Sequence, residues 1–302
     1  MEMAVSELAV PDNVSSDLVV DWDIYTQPEL LEDIHLGWHS LHESAPDIFW
    51  TPRNGGHWVV MRYDDQVRVL TDAEHFSSRE LHIPPMFNDT VMIPLNLDPP
   101  DHTRYRAVLM RHFGPGAINR MEPKLTAWAN RLIDRVIADG ACDFTETLGA
   151  GFPVSVFMEL AGMPLERFEE FRKIVLEYFS NITPERRGQL QDHIMSIWRE
   201  LFDEKRRNPG DDLTTDLLQA DVRGRKLTQD ELESMGFLLF LGGLDTVANA
   251  LTFSFRNLAQ RPDLQKRLAA ETEKLPDYVE ESLRRFAVVN QTRIVKKDIE
   301  IK

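Results

Sequence analysis

The pattern of hydrophobic and polar positions predicts one long helix from Leu227 to about Gln260. Thr228 followed three residues later by Glu231 has the spacing of a capping box, in which each side chain bonds the backbone N–H of the other. Pro262 marks the far end, because an α-helix does not readily continue through proline. From Met235 to Phe255 the residues are apolar almost all the way round, so this part is predicted to be buried on every side.

The middle of this helix breaks the apolar pattern. Gly242 and Gly243 are adjacent, and each costs about 1 kcal/mol relative to Ala inside a helix. Asp245, Thr246 and Asn249 follow within two turns. The hydroxyl of Thr246 can bond back to the carbonyl of Gly242, which bends or opens a helix. Missing side chains beside an acid and a hydroxyl predict that something flat and bulky lies against this turn.

The rest of the chain is predicted to be mainly α with a small β region, and to form one domain from residue 26 to residue 302. Residues 1 to 25, acidic and interrupted by Pro11, are interpreted as a flexible lead. A hairpin is indicated by two apolar runs around Asn54-Gly55-Gly56, and short alternating stretches at 293–295 and 298–302 predict strands. Further helices are predicted at Leu30–Glu43, up to Leu70, and at Glu122–Ala138, Phe152–Gly162, Pro164–Ser180, Pro184–Arg207, Pro262–Leu268 and Pro276–Phe286.

The stretch from Arg79 to Leu97 has no clean periodicity. A loop of this length inside a compact domain is usually functional or disordered, and a functional loop is favoured here. After it, Asp98 is predicted to cap a helix whose first turn holds two prolines. His102 and Arg106 lie on one face of that helix, at i and i+4. With Arg104, Arg111 and His112 they form a basic patch, for which an ordinary charged surface is the alternative interpretation.

Composition narrows the functional classes. The 302 residues hold 34 basic and 50 acidic side chains, a formal net charge of −16. That balance disfavours nucleic acid and anionic membrane as partners. The long apolar helix also fits a membrane span by length, but Asp245 and Asn249 on one face and its acidic flanks favour a soluble protein. The single cysteine, Cys142, allows no internal disulfide and fits a reducing cytoplasm.

Three histidines at helical spacing raise the possibility of a metal site. His35, His39 and His42 fall on one face of a predicted helix. No carboxylate or cysteine completes a convincing ligand set. A solvated helix face is therefore favoured, and no metal site is predicted.

Four motifs in order carry a family resemblance. Leu241-Gly242-Gly243-Leu244-Asp245-Thr246, followed by Glu281-x-x-Arg284, resembles the oxygen-binding helix and the ExxR helix of haem-thiolate monooxygenases, the cytochrome P450 superfamily. Asp98-Pro99-Pro100-Asp101-His102-Thr103-x-x-Arg106 is similar to its propionate-binding helix. Phe76-Ser77-Ser78 and Asn54-Gly55-Gly56-His57-Trp58 are similar to its bacterial soluble branch, the camphor-hydroxylase type. The resemblance spans about Pro46 to Lys302 and implies the fold of that superfamily.

The resemblance also implies residue roles. Thr246 matches the threonine that hydrogen-bonds dioxygen, and Asp245 matches the acid that helps deliver protons. Gly242 and Gly243 match positions where haem and oxygen approach the helix. The implied propionate ligands are His102, Arg106 and Arg293, and the implied structural pair is Glu281 and Arg284. The positions that match substrate-pocket residues are Thr90, Leu238, Leu241 and Val289.

The implied activity is a haem-dependent hydroxylation of a small apolar, terpenoid-like substrate in the cytoplasm, with O2 and electrons from an iron–sulfur ferredoxin. One feature of the family is missing. Its axial cysteine lies in a loop well after the ExxR helix, whereas the only cysteine here, Cys142, precedes the oxygen-binding helix and matches nothing in that motif. The chain is therefore expected to be truncated before that loop and inactive. The alternative is a non-catalytic helical protein that binds an apolar ligand or a partner without haem iron.

Overall fold

The computed structural model describes residues 10–84, 91–178 and 182–301. Their contacts form two compact units. Unit 1 holds the described residues 10–84, 95–99 and 290–301, and unit 2 holds 91–94, 100–178 and 182–289. The sequence analysis predicted one domain from residue 26 onward, and that assignment stays a prediction.

Unit 1 is built around a β-hairpin. Its elements in chain order are α1 (Pro28–Glu32), α2 (Ile34–Ser44), β1 (Ile48–Thr51), β2 (His57–Val60), α3 (Tyr63–Thr71) and β3 (Phe76–Ser77). Strands β1 and β2 pair antiparallel, from Ile48 opposite Val60 to Thr51 opposite His57. Asn54, Gly55 and Gly56 all have positive φ in the connection, a conformation that Gly and Asn tolerate best. The predicted hairpin is confirmed.

The predicted helix over Leu30–Glu43 is wrong in one respect, because it is two helices. Asp33 is extended, with φ −150° and ψ 111°, and separates α1 from α2. Its carboxylate accepts from the backbone N–H groups of His35 and Leu36, at 3.1 and 3.2 Å. A side chain that satisfies the first free N–H groups of α2 starts a new helix there.

Part of the lead predicted for residues 1–25, from residue 10 onward, lies within the described structure. Residues 1–9 lie outside the described residues. Trp22, however, is only 3% exposed and belongs to the core cluster of unit 1. Its ring lies 5.0 Å from that of Trp38 and 6.1 Å from that of Phe49. The lead therefore contributes to the core, which a hydrophobic pattern interrupted by turn residues did not indicate.

The last strand, β6 (Ile294–Val295), returns to unit 1 and pairs antiparallel with β3. The alternating pattern at 298–302 also predicted a strand, but through residue 301 none forms. The carbonyl of Glu300 instead accepts from Nη1 of Arg68 at 3.0 Å.

The prediction that Asp98 caps a helix is wrong. Its carboxylate accepts from the backbone N–H of Ser78 at 2.9 Å and caps no helix.

Unit 2 is almost entirely helical, which confirms the predicted fold class. Its elements are α4 (Asp101–Phe113), α5 (Pro115–Val136), a π-helix (Thr145–Gly149), α6 (Gly151–Ala161), α7 (Phe168–Tyr178), α8 (Pro184–Arg207), α9 (Leu213–Gln219), β4 (Asp221–Val222), β5 (Arg225–Lys226), α10 (Gln229–Ala259), α11 (Pro262–Ala270) and α12 (Leu275–Arg285). Helix α8 has its predicted ends, and α5 begins earlier than predicted. Helix α9 and the β4–β5 hairpin were missed, because elements this short show no period.

Helix α10 passes through the core of unit 2. Both halves of its capping box are present: Oγ1 of Thr228 accepts from the N–H of Glu231 at 3.3 Å, and Glu231 accepts from the N–H of Thr228 at 2.8 Å. Toward the end of its first half, Phe240 is fully buried against the rings of Phe157 and Phe171, with ring centroids 6.0 and 6.1 Å away. This half of the helix is the centre of the packing of unit 2.

Burial of α10 on every side, as predicted, is wrong for its second half. After Leu244 no described residue of this helix is buried. Val247 is 40% exposed and Phe255 is 47% exposed. By length and composition, α10 is the one helix in the described ranges apolar enough to cross a membrane, a property that it shares with the core helices of soluble proteins. The apolar residues of α10 therefore lie in two different environments within unit 2, buried in the first half of the helix and partly exposed in the second.

Candidate active site

The polar turn in the middle of α10 has the hydrogen bond that its spacing predicted. Oγ1 of Thr246 donates to the carbonyl of Gly242 at 2.9 Å. The helix nevertheless stays α-helical from Gln229 to Ala259. The predicted opening of the helix is therefore not seen, and the hydroxyl is held beside an intact turn.

The two adjacent glycines face different surroundings. A Cβ added to Gly243 would lie 3.2 Å from Cδ2 of Phe157, so this glycine lets α6 approach α10 closely. A Cβ added to Gly242 would meet nothing within 4 Å among the described residues. Only Gly242 therefore lies on an open face of the helix, next to the hydroxyl of Thr246.

Asp245 lies on the same turn and is partly buried. Burial raises the pKa of its carboxyl, and a hydrogen bond from Asn249 lowers that pKa in part. Nδ2 of Asn249 donates to Oδ2 at 3.0 Å. Asn249 was not predicted as a site residue, although its i+4 spacing from Asp245 is the signal that identifies such a partner. The turn thus offers a carboxyl that retains its proton more readily than an exposed aspartic acid does.

Two of the four predicted substrate-pocket residues lie on α10, close to this turn. Leu238 and Leu241 are partly buried on α10, two turns and one turn before Asp245, respectively. Val289 follows α12 and is 54% exposed. Thr90 lies outside the described residues, so its predicted role stays a prediction. In α10, the leucines place an apolar surface directly N-terminal to the polar turn.

Helix α4 carries two of the three predicted propionate ligands. His102 is partly buried, and Arg106 is exposed with no ion-pair partner in the part of the chain that the structure describes. Between them, the buried Tyr105 donates its hydroxyl to Glu231 at the start of α10. Arg225 of β5 adds two bonds to the same carboxylate, each 2.8 Å. This network fixes α4 against the beginning of α10.

The charge of Glu231 is strongly favoured in this network. The two bonds from Arg225 are the largest cause, and with the tyrosine hydroxyl and the capping N–H they lower the pKa of Glu231 to about 2. A carboxylate with this many donors stays ionised over the whole physiological range. Glu231 therefore holds α4, β5 and the start of α10 together.

Arg293, the third predicted propionate ligand, belongs to unit 1. It is partly buried just before β6, and its Nη1 donates to the carbonyl of Thr292 at 2.7 Å. Burial lowers the pKa of its guanidinium, and the negative charge of Asp98 opposes that shift. His102 and Arg106 belong to unit 2, so the three predicted ligands are described in two separate units.

The predicted structural pair and the cysteine are both at the surface. Glu281 and Arg284 of α12 form two hydrogen bonds, of 2.6 and 2.7 Å, with side chains that are 55% and 71% exposed. Cys142 is exposed on the segment before the π-helix. Neither feature is buried in the described structure of unit 2.

Comparisons with known proteins agree with the sequence motifs. A model of the family described as cytochrome P450 matches residues 144–302. The probable cytochrome P450 127A1 of Sinorhizobium fredii is 33% identical over an alignment of 301 positions, which covers 96% of this chain and 72% of that relative.

Solved structures give the same result for the fold. The crystal structure of CYP101J2 is similar with a TM-score of 0.87 and 34% identity, over 97% of this chain and 74% of that one. The structure of CYP109E1 from Bacillus megaterium in complex with testosterone is similar with a TM-score of 0.75 and 30% identity, over 89% of this chain and 71% of that one.

Proposed function

The chain belongs to the cytochrome P450 family, and from this premise we propose that its residues serve the haem-dependent hydroxylation of a small apolar, terpenoid-like substrate. O2 is the co-substrate, an iron–sulfur ferredoxin delivers the electrons, and the protein works in the cytoplasm. The observation that carries the proposal is the polar turn of α10, where Gly242 leaves one face open beside Thr246 and Asp245.

The described residues of unit 2 fit a flat apolar group such as haem. The open side of Gly242 accepts a group that any larger side chain would displace, and the second half of α10 leaves apolar side chains uncovered. Arg106 is an exposed guanidinium without an ion-pair partner among the described residues, as a propionate ligand requires. Bound haem supplies the iron that takes up dioxygen and electrons. We assign His102 and Arg106 of unit 2 to its propionates, and the family resemblance implies the same role for Arg293.

Two side chains of the turn handle protons and hydrogen bonds. Oγ1 of Thr246, which now donates to the carbonyl of Gly242, can turn its proton toward a ligand on the open face, since a hydroxyl is both donor and acceptor. Asp245 accepts from Asn249 at Oδ2 and, with its raised pKa, holds a proton on its other oxygen more readily than an exposed acid. Such a carboxyl is better suited to donate a proton than the carboxyl of an exposed aspartic acid.

Haem titration tests the open face directly. Gly242→Leu fills it with a good helix former, and we expect haem affinity to fall at least tenfold. Gly188→Leu is the matched control, because Gly188 is also an exposed helical glycine with nothing near its missing Cβ, but it lies in α8. Equal affinity in both variants and in the wild type contradicts the assignment of Gly242.

The axial ligand separates this proposal from its alternative. Cys142 is the only cysteine in these 302 residues and is exposed. We therefore expect the chain to be inactive as an oxygenase, and this exposure favours the second candidate, a helical protein that binds an apolar ligand without haem iron. The absorption spectrum of the reduced, carbon-monoxide-treated protein decides. A red-shifted thiolate-type Soret band from this chain contradicts the expected inactivity.

The exposed arginines of α4 support the choice of an acidic electron donor. Arg106 and Arg111 face solvent. Arg104 forms an ion pair with Asp101, with 3.3 Å between Nη1 and Oδ1. These positive charges lie on a chain whose net charge is −16. Attraction between exposed charges is screened over about 10 Å at 0.1 M salt. Binding of a reduced ferredoxin should therefore weaken steeply with ionic strength. Arg111→Gln should flatten that dependence, while an affinity independent of salt argues against this docking surface.

A further inference from the structure

Ser234, in the first half of α10, makes two hydrogen bonds to a distant segment of unit 2. Its Oγ accepts from the backbone N–H of Ile93 at 2.9 Å and donates to the carbonyl of Val91. Ser254, on the same helix, instead donates to its own carbonyl one turn back, that of Ala250, at 2.7 Å. Ser234 thus uses its hydroxyl to hold another part of the chain. Serines within helices, by contrast, often bond a carbonyl of their own helix.

The segment that Ser234 holds has no helix or strand of its own. Residues 91 and 92 have no regular structure and residues 93–96 form a turn, with Val91 44% exposed and Pro94 buried. Without a helical or strand ladder, the backbone groups of such a segment need partners from elsewhere. One serine hydroxyl provides both a donor and an acceptor for two of its residues. Ser234 therefore anchors this segment at two of its residues, Val91 and Ile93.

The face of α10 that carries Ser234 continues into the candidate site. Residues 234, 238, 241 and 245 follow the i, i+4, i+7, i+11 spacing that places side chains on one stripe of a helix. That stripe contains Leu238 and Leu241, proposed to line the substrate pocket, and ends at Asp245. Residues 91–94 are bonded to its N-terminal end, opposite the end that carries the reactive groups.

We propose that Ser234 is a positioning residue, which holds residues 91–94 as the end wall of the substrate space on this stripe. The inference rests on the proposed function, because it takes Leu238 and Leu241 as pocket residues. A fixed wall at this end limits how far a ligand extends from Asp245 along α10. It therefore favours a compact apolar molecule over an elongated one, and releasing the wall should reduce that preference.

Hydrogen exchange of the Ile93 amide tests the anchor itself in the full chain. Ser234→Ala removes the acceptor of this amide. We expect the amide to exchange about tenfold faster, because that is the effect of losing roughly one hydrogen bond. Ser234→Thr keeps the hydroxyl and should restore slow exchange. Ser254→Ala is the matched control and should leave Ile93 unchanged. Equal exchange at Ile93 in the Ser234→Ala variant and the wild type overturns the proposal.

Ligand binding tests the consequence for selectivity. The probes are camphor, which is compact, and testosterone, which is elongated, and their dissociation constants are measured by equilibrium dialysis with haem supplied. We expect Ser234→Ala to shift the ratio of the two constants at least fivefold toward testosterone, and Ser234→Thr and Ser254→Ala to leave it unchanged. Circular dichroism confirms that each variant is folded.

The outcomes separate this inference from the function on which it rests. An unchanged ratio, with both probes bound by the wild type, overturns the positioning role of Ser234 alone. Failure of the wild type to bind either probe contradicts the proposed apolar substrate, and the positioning role is then overturned with it. Faster exchange at Ile93 together with a shifted ratio supports both.

Discussion

The two halves of α10 are both rich in apolar residues but have different surroundings. From Gln229 to Leu244 the helix is packed in the core of unit 2, and two of its three acids are paired with arginines: Glu231 with Arg225, and Glu233 with Arg199. From Asp245 to Ala259 no described residue is buried, and the one acid has an amide as its partner. The first half holds the fold together, and the second presents a surface and a proton-holding group.

This comparison teaches which polar groups in an apolar helix are structural. A carboxylate that receives two bonds from an arginine is stabilised as an anion and has no proton to give. A carboxyl that is partly buried with only an amide beside it is stabilised in its protonated form. Direct tests of the comparison change matched residues in the two halves.

The largest effect is expected from the aromatic residues. Phe240→Ala should lower the free energy of unfolding by about 3–5 kcal/mol, because it leaves a cavity between Phe157 and Phe171. Phe255 is 47% exposed and stacks on Phe144 with ring centroids 4.3 Å apart. Phe255→Ala should therefore lower it by only about 1 kcal/mol. Urea unfolding measures both, and equal losses would show that the halves are equally buried.

The contributions of Glu231 and Asp245 to the free energy of unfolding should change with pH in opposite directions. The pKa of Glu231 is lowered to about 2, so its contribution to stability is present above the ordinary carboxyl pKa and is lost as the pH falls toward 2. Glu231→Gln should lower the free energy of unfolding by about 1.5–3 kcal/mol at pH 6. The difference from the wild type should shrink as the solution is acidified.

The pKa of Asp245 is raised, so its contribution to stability is present below the ordinary aspartate pKa and is lost as the pH rises through the raised value. Asp245→Asn has no such loss. The variant should gain stability relative to the wild type as the pH rises from 4 toward neutrality. Unfolding by urea at a series of pH values measures the difference, and the same sign of pH dependence in both variants would refute the distinction.

The smallest effect is expected at the two glycines. Gly242→Ala gains helix propensity without a clash, so it should raise the free energy of unfolding by up to about 1 kcal/mol. Gly243→Ala brings a methyl group to 3.2 Å from Phe157, and this crowding should cancel the gain. Urea unfolding measures both variants, and we expect Gly242→Ala to be the more stable of the two. The opposite order would contradict the placement of the border between the packed half and the open half at these two glycines.

Local sequence determined the features that depend on spacing within one element. The capping box of Thr228 and Glu231, the bond from Thr246 to Gly242 and the hairpin around Asn54-Gly55-Gly56 were all predicted. Each needs only groups a few residues apart, and their backbone geometry follows from the residue types. The motifs that indicated the family, and the mainly helical fold class, are of the same kind.

Only the tertiary structure decided features that depend on which elements meet. Equal hydropathy along α10 gave no sign that its second half is open, because burial depends on the neighbouring helices. Two adjacent glycines look alike in sequence, and Phe157, 86 positions before Gly243, distinguishes them. Ser234 and Ile93 are likewise 141 residues apart. Residue type fixes what a side chain can donate, accept or pack against, and the folded chain supplies the partner.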